Sequence, residues 1–239
     1  MNRRQFLTLS AAAAGGALLA EGLSEFVPTT PANAWPRGSI ERLPASSTKR
    51  MAWTVDDGAS VSAVRSYLQL LEEHEELKMT MFVLAGAHSW KALAPRISKL
   101  AATGRLQLAN HTVNHIDLTK ATERKIRQEL LLAGRFIHNE FGVHDGGYFR
   151  PPFGYVDDRV IHIAAENGYT KPVLWYGSTG SSATASAATV WKNCQTWMTD
   201  RRIVIDHANS LATVANFAKI RQLLKSRGLA TVTLAEVFG

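Results

Sequence analysis

Residues 50–58 read RMAWTVDDG, an apolar run that ends in two adjacent carboxylates and a glycine. A short apolar run that stops at a polar turn is typical of a buried strand. Neighbouring side chains on a strand point to opposite faces, so Asp56 and Asp57 can share one site only if the strand ends there and the chain turns. Gly58 suits that turn because glycine adopts left-handed backbone conformations without steric cost. The stretch therefore predicts a buried strand that delivers two carboxylates to one end of a sheet.

The chain repeats this pattern of apolar run, polar turn and helical periodicity. Tyr148-Phe149 is one predicted strand, and the six others are Arg50–Val55, Met79–Leu84, Leu106–Ala109, Pro172–Trp175, Ile203–Ile205 and Ala230–Thr233. Helices are predicted over Val61–His74, Ala94–Thr103, Glu123–Glu140, Asp158–Asn167, Val190–Thr199 and Leu211–Ser226. Repeated β-α units indicate an α/β fold with a parallel sheet.

Two architectures fit such a sheet: an open, doubly wound sheet and a closed, imperfect barrel. Polar motifs follow directly after five of the strands: Asp56-Asp57, Asn110-His111, Arg150, Trp175-Tyr176 and Asp206-His207. A β/α barrel gathers the carboxyl ends of its strands around one rim, where its chemistry takes place, whereas an open sheet would spread them apart. The positions of these motifs therefore favour a barrel.

A second motif, HTVNH at residues 111–115, places two histidines with three residues between them. Together with one carboxylate of the Asp56-Asp57 pair, they would give three protein ligands and leave a coordination position open, as catalytic metal sites do. Each pair alone is more often unrelated to metal, but their joint occurrence indicates a site. An ion held this way lowers the pKa of bound water towards about 7. The second carboxylate could then accept a proton, so the motifs predict a metal-dependent hydrolase.

Composition limits the other possibilities. The chain has 239 residues, 46% of them apolar, and one domain with a sizeable core is the simplest expectation. The net charge of +7 favours anionic surroundings such as a cell-wall polymer. No nucleic-acid-binding motif appears among the scattered lysines and arginines, so we predict no nucleic-acid partner. Cys194 is the only cysteine, which excludes an internal disulfide. We expect a monomer.

The N-terminus carries an export signal. Residues 2–7 read NRRQFL, a twin-arginine pattern, and are followed by a weakly apolar run and an Ala-x-Ala cleavage signal at residues 32–34. These features predict a signal peptide at 1–34, a leader at 35–48 and a domain at 49–239. An uncleaved membrane anchor is the alternative, but the apolar run falls short of the roughly 20 residues that span a bilayer. We therefore expect a bacterial protein that is exported to the periplasm, cell wall or medium, without an integral membrane segment after cleavage.

Four motifs together resemble those of a known family: TVDDG at 54–58, NHTVNH at 110–115, FRPPFG at 149–154 and IDH at 205–207. In order and approximate spacing they resemble the polysaccharide deacetylases of carbohydrate esterase family four, also called the NodB homology domain. The resemblance covers roughly residues 49–238. It implies a distorted (β/α)7-type barrel that binds a divalent metal, usually Zn²⁺, and removes N-acetyl or O-acetyl groups from a glycan such as peptidoglycan, chitin oligomers or xylan.

The resemblance also implies roles for individual residues. Asp57, His111 and His115 would hold the metal, and Asp56 would be the general base that deprotonates the attacking water. Arg150 would hold Asp56 by a charge-assisted hydrogen bond, a task that suits a planar guanidinium.

Further roles fall on the later motifs. The backbone N–H of Phe153 would stabilise the oxyanion, and His207 would protonate the leaving amine or alcohol. Ile205 would pack near the acetyl methyl. Trp175 and Tyr176 could line a sugar-binding groove, with packing in the core as the alternative.

One motif of the family is missing. The family usually carries an aspartate after its fifth strand that pairs with the catalytic histidine, whereas this chain reads WYGSTG at 175–180. Asp206 adjoins His207, but on a strand its side chain should point the other way. Two alternatives to an active deacetylase therefore remain: a glycan-binding member of the fold that has lost turnover, and an amidohydrolase of small C–N substrates.

Overall fold

The computed structural model describes residues 38–239, and the signal peptide predicted at 1–34 lies outside that range. Within it, the strands run parallel in one sheet, in the order β5-β4-β3-β2-β1-β7-β6, and β8 pairs with the start of β1. The strands are β1 (Arg50–Asp57), β2 (Met79–Val83), β3 (Leu106–Asn110), β4 (Tyr148–Phe149), β5 (Lys171–Pro172), β6 (Gly177–Ser178), β7 (Ile203–His207) and β8 (Ala230–Thr231).

Helices link the strands and cover the outside of the sheet. They are α1 (Val61–Glu73), α2 (His88–Ala92), α3 (Ala94–Ala101), α4 (Glu123–Phe141), α5 (Asp158–Glu166), α6 (Ala187–Trp197), α7 (Phe217–Ser226) and α8 (Leu234–Phe238). Side-chain caps begin several of them; the hydroxyl of Ser60, for example, accepts a hydrogen bond from the N–H of Ala63 at the start of α1. Across residues 38–239 no helix combines the length and the apolar character that a membrane crossing requires.

The sheet separates two apolar clusters. Ala52 of β1 packs on the inner face with Phe82 and Ala109 of the neighbouring strands. Trp53 and Val55 point the other way and join the cluster beneath the helices. An inner cluster enclosed by a curled parallel sheet, with helices outside it, is the arrangement of a β/α barrel. The predicted distorted (β/α)7-type barrel in a single domain is confirmed.

Residues 40–43 link the β5 edge of the curled sheet to the start of β7. Ile40 pairs with Val173 beside β5, and Arg42 pairs with Arg202 just before β7. Leu43 is buried in the inner cluster. The folded unit therefore extends N-terminal of residue 49, where the sequence placed its start, because part of the predicted leader contributes pairing and core contacts.

The barrel wall differs from the predicted strands between residues 171 and 178. The strand expected over Pro172–Trp175 is confined to Lys171–Pro172, and a separate strand forms at Gly177–Ser178. A Cβ at Gly177 would lie only 2.7 Å from the Cβ of Trp197, so glycine allows α6 to pack tightly on this strand. Two-residue strands of small or polar residues leave no alternating pattern in a sequence.

Candidate active site

The end of β1 carries the two carboxylates to one point. Asp56 lies on the inner face of the sheet, as the alternation along β1 requires. The chain then turns at Asp57 (φ 67°) and Gly58 (φ 79°), both in the left-handed region. A Cβ on Gly58 would lie 2.5 Å from the Trp90 ring, so glycine is needed for space as well as for backbone conformation. The predicted turn thus places both carboxylates at the same rim.

The loop after β3 brings the two histidines to that rim. Its backbone turns through left-handed conformations at Thr112 (φ 68°) and His115 (φ 52°). Glu129, a buried residue of α4, accepts hydrogen bonds from the backbone N–H groups of Val113 and Asn114 at 2.9 and 2.8 Å. One helix carboxylate therefore fixes the loop between the histidines.

Asp57, His111 and His115 converge. Asp57 Oδ1 lies 3.2 Å from His111 Nε2 and 3.4 Å from His115 Nε2. His111 Nδ1 lies 2.7 Å from the carbonyl oxygen of Arg150. A carbonyl oxygen only accepts, so Nδ1 carries the proton and a neutral His111 turns the Nε2 lone pair towards Asp57. A backbone acceptor behind a histidine in this way is the usual arrangement around a metal ligand.

This donor set fits a divalent cation. Asp57 Oδ1 is buried and makes no hydrogen bond among the described residues. The three donor atoms lie within 4.8 Å of one another, and two imidazole nitrogens with one carboxylate oxygen suit Zn²⁺. Burial alone would lower the pKa of His111, but the negative charges of Asp56 and Asp57 raise it. The pocket thus favours positive charge.

Asp57 is held ionised by its neighbours. Burial opposes its charge, but the nearby His111 and the hydrogen bond from Asn209 keep the pKa of Asp57 well below its usual range. Asn209 donates from Nδ2 to Asp57 Oδ2 at 2.6 Å, and its own Oδ1 accepts from the N–H of Ala59. Asn209 thereby fixes one oxygen of Asp57 and leaves Oδ1 towards the histidines.

Asp56 is paired with a fully buried arginine. Arg150 Nη1 lies 2.6 Å from Asp56 Oδ1 and also donates to Thr54 Oγ1 at 2.9 Å. Its other nitrogens donate to the carbonyl oxygens of Val173 and Leu174. The second oxygen of Asp56, Oδ2, lies 3.7 Å from His111 Nε2. One oxygen is therefore anchored, while the other faces the histidines.

His207 stands next to this pair. It ends β7 and is the register partner of Asp56 on β1. Its Nδ1 lies 3.3 Å from the hydroxyl oxygen of Ser181, in the loop after β6. Ile205 lies two residues earlier on the same face of β7 and is buried. The four sequence motifs thus meet at one rim of the barrel.

The family of the chain follows from its sequence. A family model described as polysaccharide deacetylase matches residues 44–172, which is more than half of the chain. The chain belongs to the polysaccharide deacetylase family. The resemblance seen in the four motifs is therefore confirmed.

Several relatives carry deacetylase names. Peptidoglycan-N-acetylglucosamine deacetylase PgdA of Listeria monocytogenes is 30% identical over 200 residues, which cover 82% of this chain and 40% of that protein. A peptidoglycan-N-acetylglucosamine deacetylase of Bacillus cereus is 28% identical, with 84% of this chain and 94% of the relative covered. Chitin deacetylase 1 of Cryptococcus neoformans is 35% identical, with coverages of 55% and 26%. The chain thus spans less than half of the Listeria relative but nearly all of the Bacillus one.

Solved structures share the fold. A family 4 carbohydrate esterase from Streptomyces lividans in complex with acetate has a TM-score of 0.67 at 22% identity, covering 77% of this chain and 91% of that one. A family 4 pseudoenzyme from Bacillus anthracis has a TM-score of 0.73 at 19% identity, with coverages of 85% and 70%. At these identities the likeness shows the barrel of the deacetylase family and nothing about activity.

Phe153 holds an uncommon backbone conformation in the FRPPFG motif of the family. Its φ is 61°, and its ring lies 4.6 Å from that of His115, centre to centre. Among residues 38–239, five non-glycine residues have positive φ, and all except Arg201 belong to the segments described above. Such conformations cost about 1–3 kcal/mol each and concentrate at functional sites. The backbone thus marks the same rim as the side chains.

Trp175 and Tyr176, which could line a sugar-binding groove, lie in different parts of the barrel. Trp175 lies beside Arg150, 5.6 Å from its guanidinium carbon, and a Cβ on Gly154 would meet its ring at 2.9 Å. Tyr176 instead pairs through its N–H with Ile203, at the opposite end of β7 from His207. Its ring stacks on the guanidinium of Arg202 at 3.8 Å. Tyr176 therefore lies away from Asp57, His111 and His115, at the end of the barrel wall opposite the rim.

Sequence reasoning missed the residues that orient the site: Glu129, Asn209, Thr54 and Ser181. Thr54 lies in the TVDDG motif, but its contact with Arg150 was not predicted, and Glu129 and Ser181 belong to no spacing that signals chemistry. Asn209 had a weak signal, because it follows His207 by two residues on the loop that leaves the rim.

Proposed function

We propose that this protein is a metal-dependent hydrolase that removes acetyl groups from an acetylated glycan. The observation that carries the proposal is the convergence of Asp57 Oδ1, His111 Nε2 and His115 Nε2 within 4.8 Å, beside Asp56 with one oxygen anchored by Arg150. Asp57, His111 and His115 would hold a divalent ion, with Zn²⁺ first by ligand type. The bound ion would acidify water and polarise the acetyl carbonyl.

The residues of the chain divide the remaining work. Asp56 accepts the proton of the attacking water at Oδ2, while Arg150 keeps its other oxygen in place. The backbone N–H of Phe153 donates to the oxygen on which negative charge develops. His207 gives a proton to the departing amine or alcohol, and Ile205 offers an apolar contact to the acetyl methyl.

An N-acetylated glycan is the first choice of substrate. Relatives named for peptidoglycan N-acetylglucosamine, chitin and chitooligosaccharide support it. Exposed aromatic rings suit the faces of pyranose rings, and Phe153 and Tyr155 lie with ring centres 5.6 Å apart beside His115. Trp175 could extend the same surface. O-acetylated xylan is the second choice.

Export is part of the proposal, because peptidoglycan and environmental glycans lie outside the cytoplasm. The twin-arginine pattern and the Ala-x-Ala signal support a protein that is released to the periplasm, cell wall or medium. We propose that the protein acts on its glycan as a monomer.

Acetate release from peptidoglycan fragments, chitin oligomers and acetylated xylan tests the function. We expect release from the N-acetylated glycans, loss of release after chelation and recovery on addition of Zn²⁺. Binding of the glycans without release would favour the glycan-binding alternative. Release only from small amides would favour an amidohydrolase.

A further inference from the structure

His207 reaches a buried carboxylate through two hydroxyl groups. Ser181 Oγ lies 3.3 Å from His207 Nδ1 and 2.9 Å from Thr179 Oγ1. Thr179 Oγ1 lies in turn 2.8 Å from Asp206 Oδ1. Ser181, Thr179 and Asp206 are all at most 1% exposed. An unbroken chain of hydrogen bonds therefore runs from the imidazole to a carboxylate inside the protein.

Only one order of protons makes all three contacts of this chain hydrogen bonds. Thr179 has one hydroxyl proton and two neighbours that could accept it, Ser181 Oγ and Asp206 Oδ1. A carboxylate cannot donate and is the stronger acceptor, so this proton goes to Asp206. With its proton used there, Thr179 cannot also donate to Ser181, so the 2.9 Å contact between the two hydroxyls is a hydrogen bond only when Ser181 donates. With that proton used, Ser181 can only accept from His207 Nδ1–H. The order of the bonds thus fixes the tautomer of a neutral His207, with Nδ1 protonated and Nε2 bare.

The local backbone is built to hold the two hydroxyls. Gly180 adopts φ 68° between them, and a Cβ there would lie 2.6 Å from Nδ2 of Asn193. Asn193 itself donates to the carbonyl oxygen of Thr179 at 3.0 Å. Ser181 also accepts the backbone N–H of His207 at 2.9 Å, so it holds both the main chain and the ring of this residue.

We propose that Ser181 is a positioning residue for His207. The chain of hydrogen bonds through Thr179 to Asp206 takes the place of the aspartate that the family usually carries after its fifth strand and that the WYGSTG segment lacks. The inference rests on the proposed role of His207 as proton donor to the leaving group. A ring anchored at Nδ1 presents Nε2 to the rim, and it can release its Nε2 proton there without losing its orientation.

The first test is the tautomer of the neutral His207 ring, read from long-range ¹H–¹⁵N correlations of the whole chain. The signal is assigned by its loss in His207→Gln. We expect the Nδ1–H form in the unaltered protein. Thr179→Val frees the Ser181 proton to turn towards Nδ1 and should shift the ring towards the Nε2–H form.

Thr213→Val is the matched control. Thr213 donates to the same oxygen of Asp206, also at 2.8 Å, and is equally buried, but it lies outside the route to His207. We expect this variant to leave the tautomer unchanged. A ring in the Nε2–H form in the unaltered protein, or equal shifts in Thr179→Val and Thr213→Val, would overturn the inference.

Kinetics give the second readout. Ser181→Ala and Thr179→Val should each lower kcat roughly three- to tenfold with KM unchanged, because each removes one neutral hydrogen bond that orients the ring. Thr213→Val should not change kcat. The tautomer needs no substrate, so an inactive protein with the expected Nδ1–H ring would refute the proposed function only. An active protein with the opposite ring form would refute the inference only.

Discussion

Two buried carboxylates stand at the ends of neighbouring strands, and the protein satisfies them in different ways. Asp56 on β1 faces the inside of the barrel and is paired with the guanidinium of Arg150 at 2.6 Å. Asp206 on β7 faces the helices instead. It accepts hydrogen bonds from four neutral side chains: Trp53, Tyr67, Thr179 and Thr213.

The difference supports different proposed roles for the two groups. The guanidinium of Arg150 holds one oxygen of Asp56 and leaves the other facing the histidines, where it can take up a proton. Neutral donors occupy both oxygens of Asp206, which therefore anchors other groups and does not react. Asp56 and Asp206 are both buried, so burial alone does not distinguish a proposed base from an anchor. The number and charge of their hydrogen-bond donors distinguish them.

The largest expected effect is on Asp56, the proposed base. Asp56→Asn should lower kcat by about 10²–10⁴-fold, because the amide cannot accept the proton of the attacking water. Metal content should not change, since Asp57 and the two histidines are untouched. Acetate release and metal analysis on the same preparation test this. Retained turnover would refute the assignment of Asp56 as the base.

Arg150, which holds Asp56, should matter mainly for the stability of the fold. Arg150→Met leaves a buried, unpaired carboxylate, and we expect the free energy of unfolding to fall by about 3–5 kcal/mol. Denaturant unfolding measures it. The double variant with Asp56→Asn should recover part of the loss, because no buried charge then remains. A loss of only about 0–1 kcal/mol would mean that the pair behaves like an exposed one.

The anchoring carboxylate should respond to the loss of a neutral donor. Burial and the charge of Asp206 raise the pKa of Tyr67, so its hydroxyl remains a donor. Tyr67→Phe should cost about 1.5–3 kcal/mol of unfolding free energy without affecting metal binding. Tyr148→Phe is the control, since Tyr148 is buried but its hydroxyl lies 3.3 Å from the backbone oxygens of Leu234 and Gly239 and not beside a buried side-chain carboxylate. Equal losses in the two variants would show that the charge of Asp206 is not decisive.

The smallest effect is expected at Asn209, which follows β7 and contacts the proposed metal ligand Asp57. Asn209→Ala frees one oxygen of Asp57 and should weaken Zn²⁺ binding about 10- to 100-fold, the usual cost of losing a group that orients a ligand. Competition against a chromogenic chelator measures the affinity. Unchanged affinity would mean that the turn at Asp57 and Gly58 positions the carboxylate by itself.

Much of the rim could be predicted from the sequence, because its residues follow long apolar strands at fixed spacings. The alternation along β1 already places Asp56 inside the barrel, and a turn at Gly58 was required for Asp57 to join it. Asp206 was likewise expected to point away from His207. These predictions depend on strand geometry, which a sequence displays directly.

The parts that escaped prediction depend on tertiary contacts. Ile40 and Leu43 lie in a segment whose composition resembles a linker, yet they complete the barrel wall. β6 has only two residues and no apolar pattern. Ser181 is one of many serines in the sequence, and only its position between His207 and Thr179 indicates its role.

The site itself is tested most directly by diffraction from crystals soaked in Zn²⁺, with anomalous data collected at the zinc edge. We expect one strong peak per chain, at about 2.0–2.2 Å from Asp57 Oδ1, His111 Nε2 and His115 Nε2. The peak should be absent in a chain with His111→Ala. A saturating soak that leaves this point empty, or a peak bound by other residues, would contradict the proposed metal centre and the hydrolase built on it.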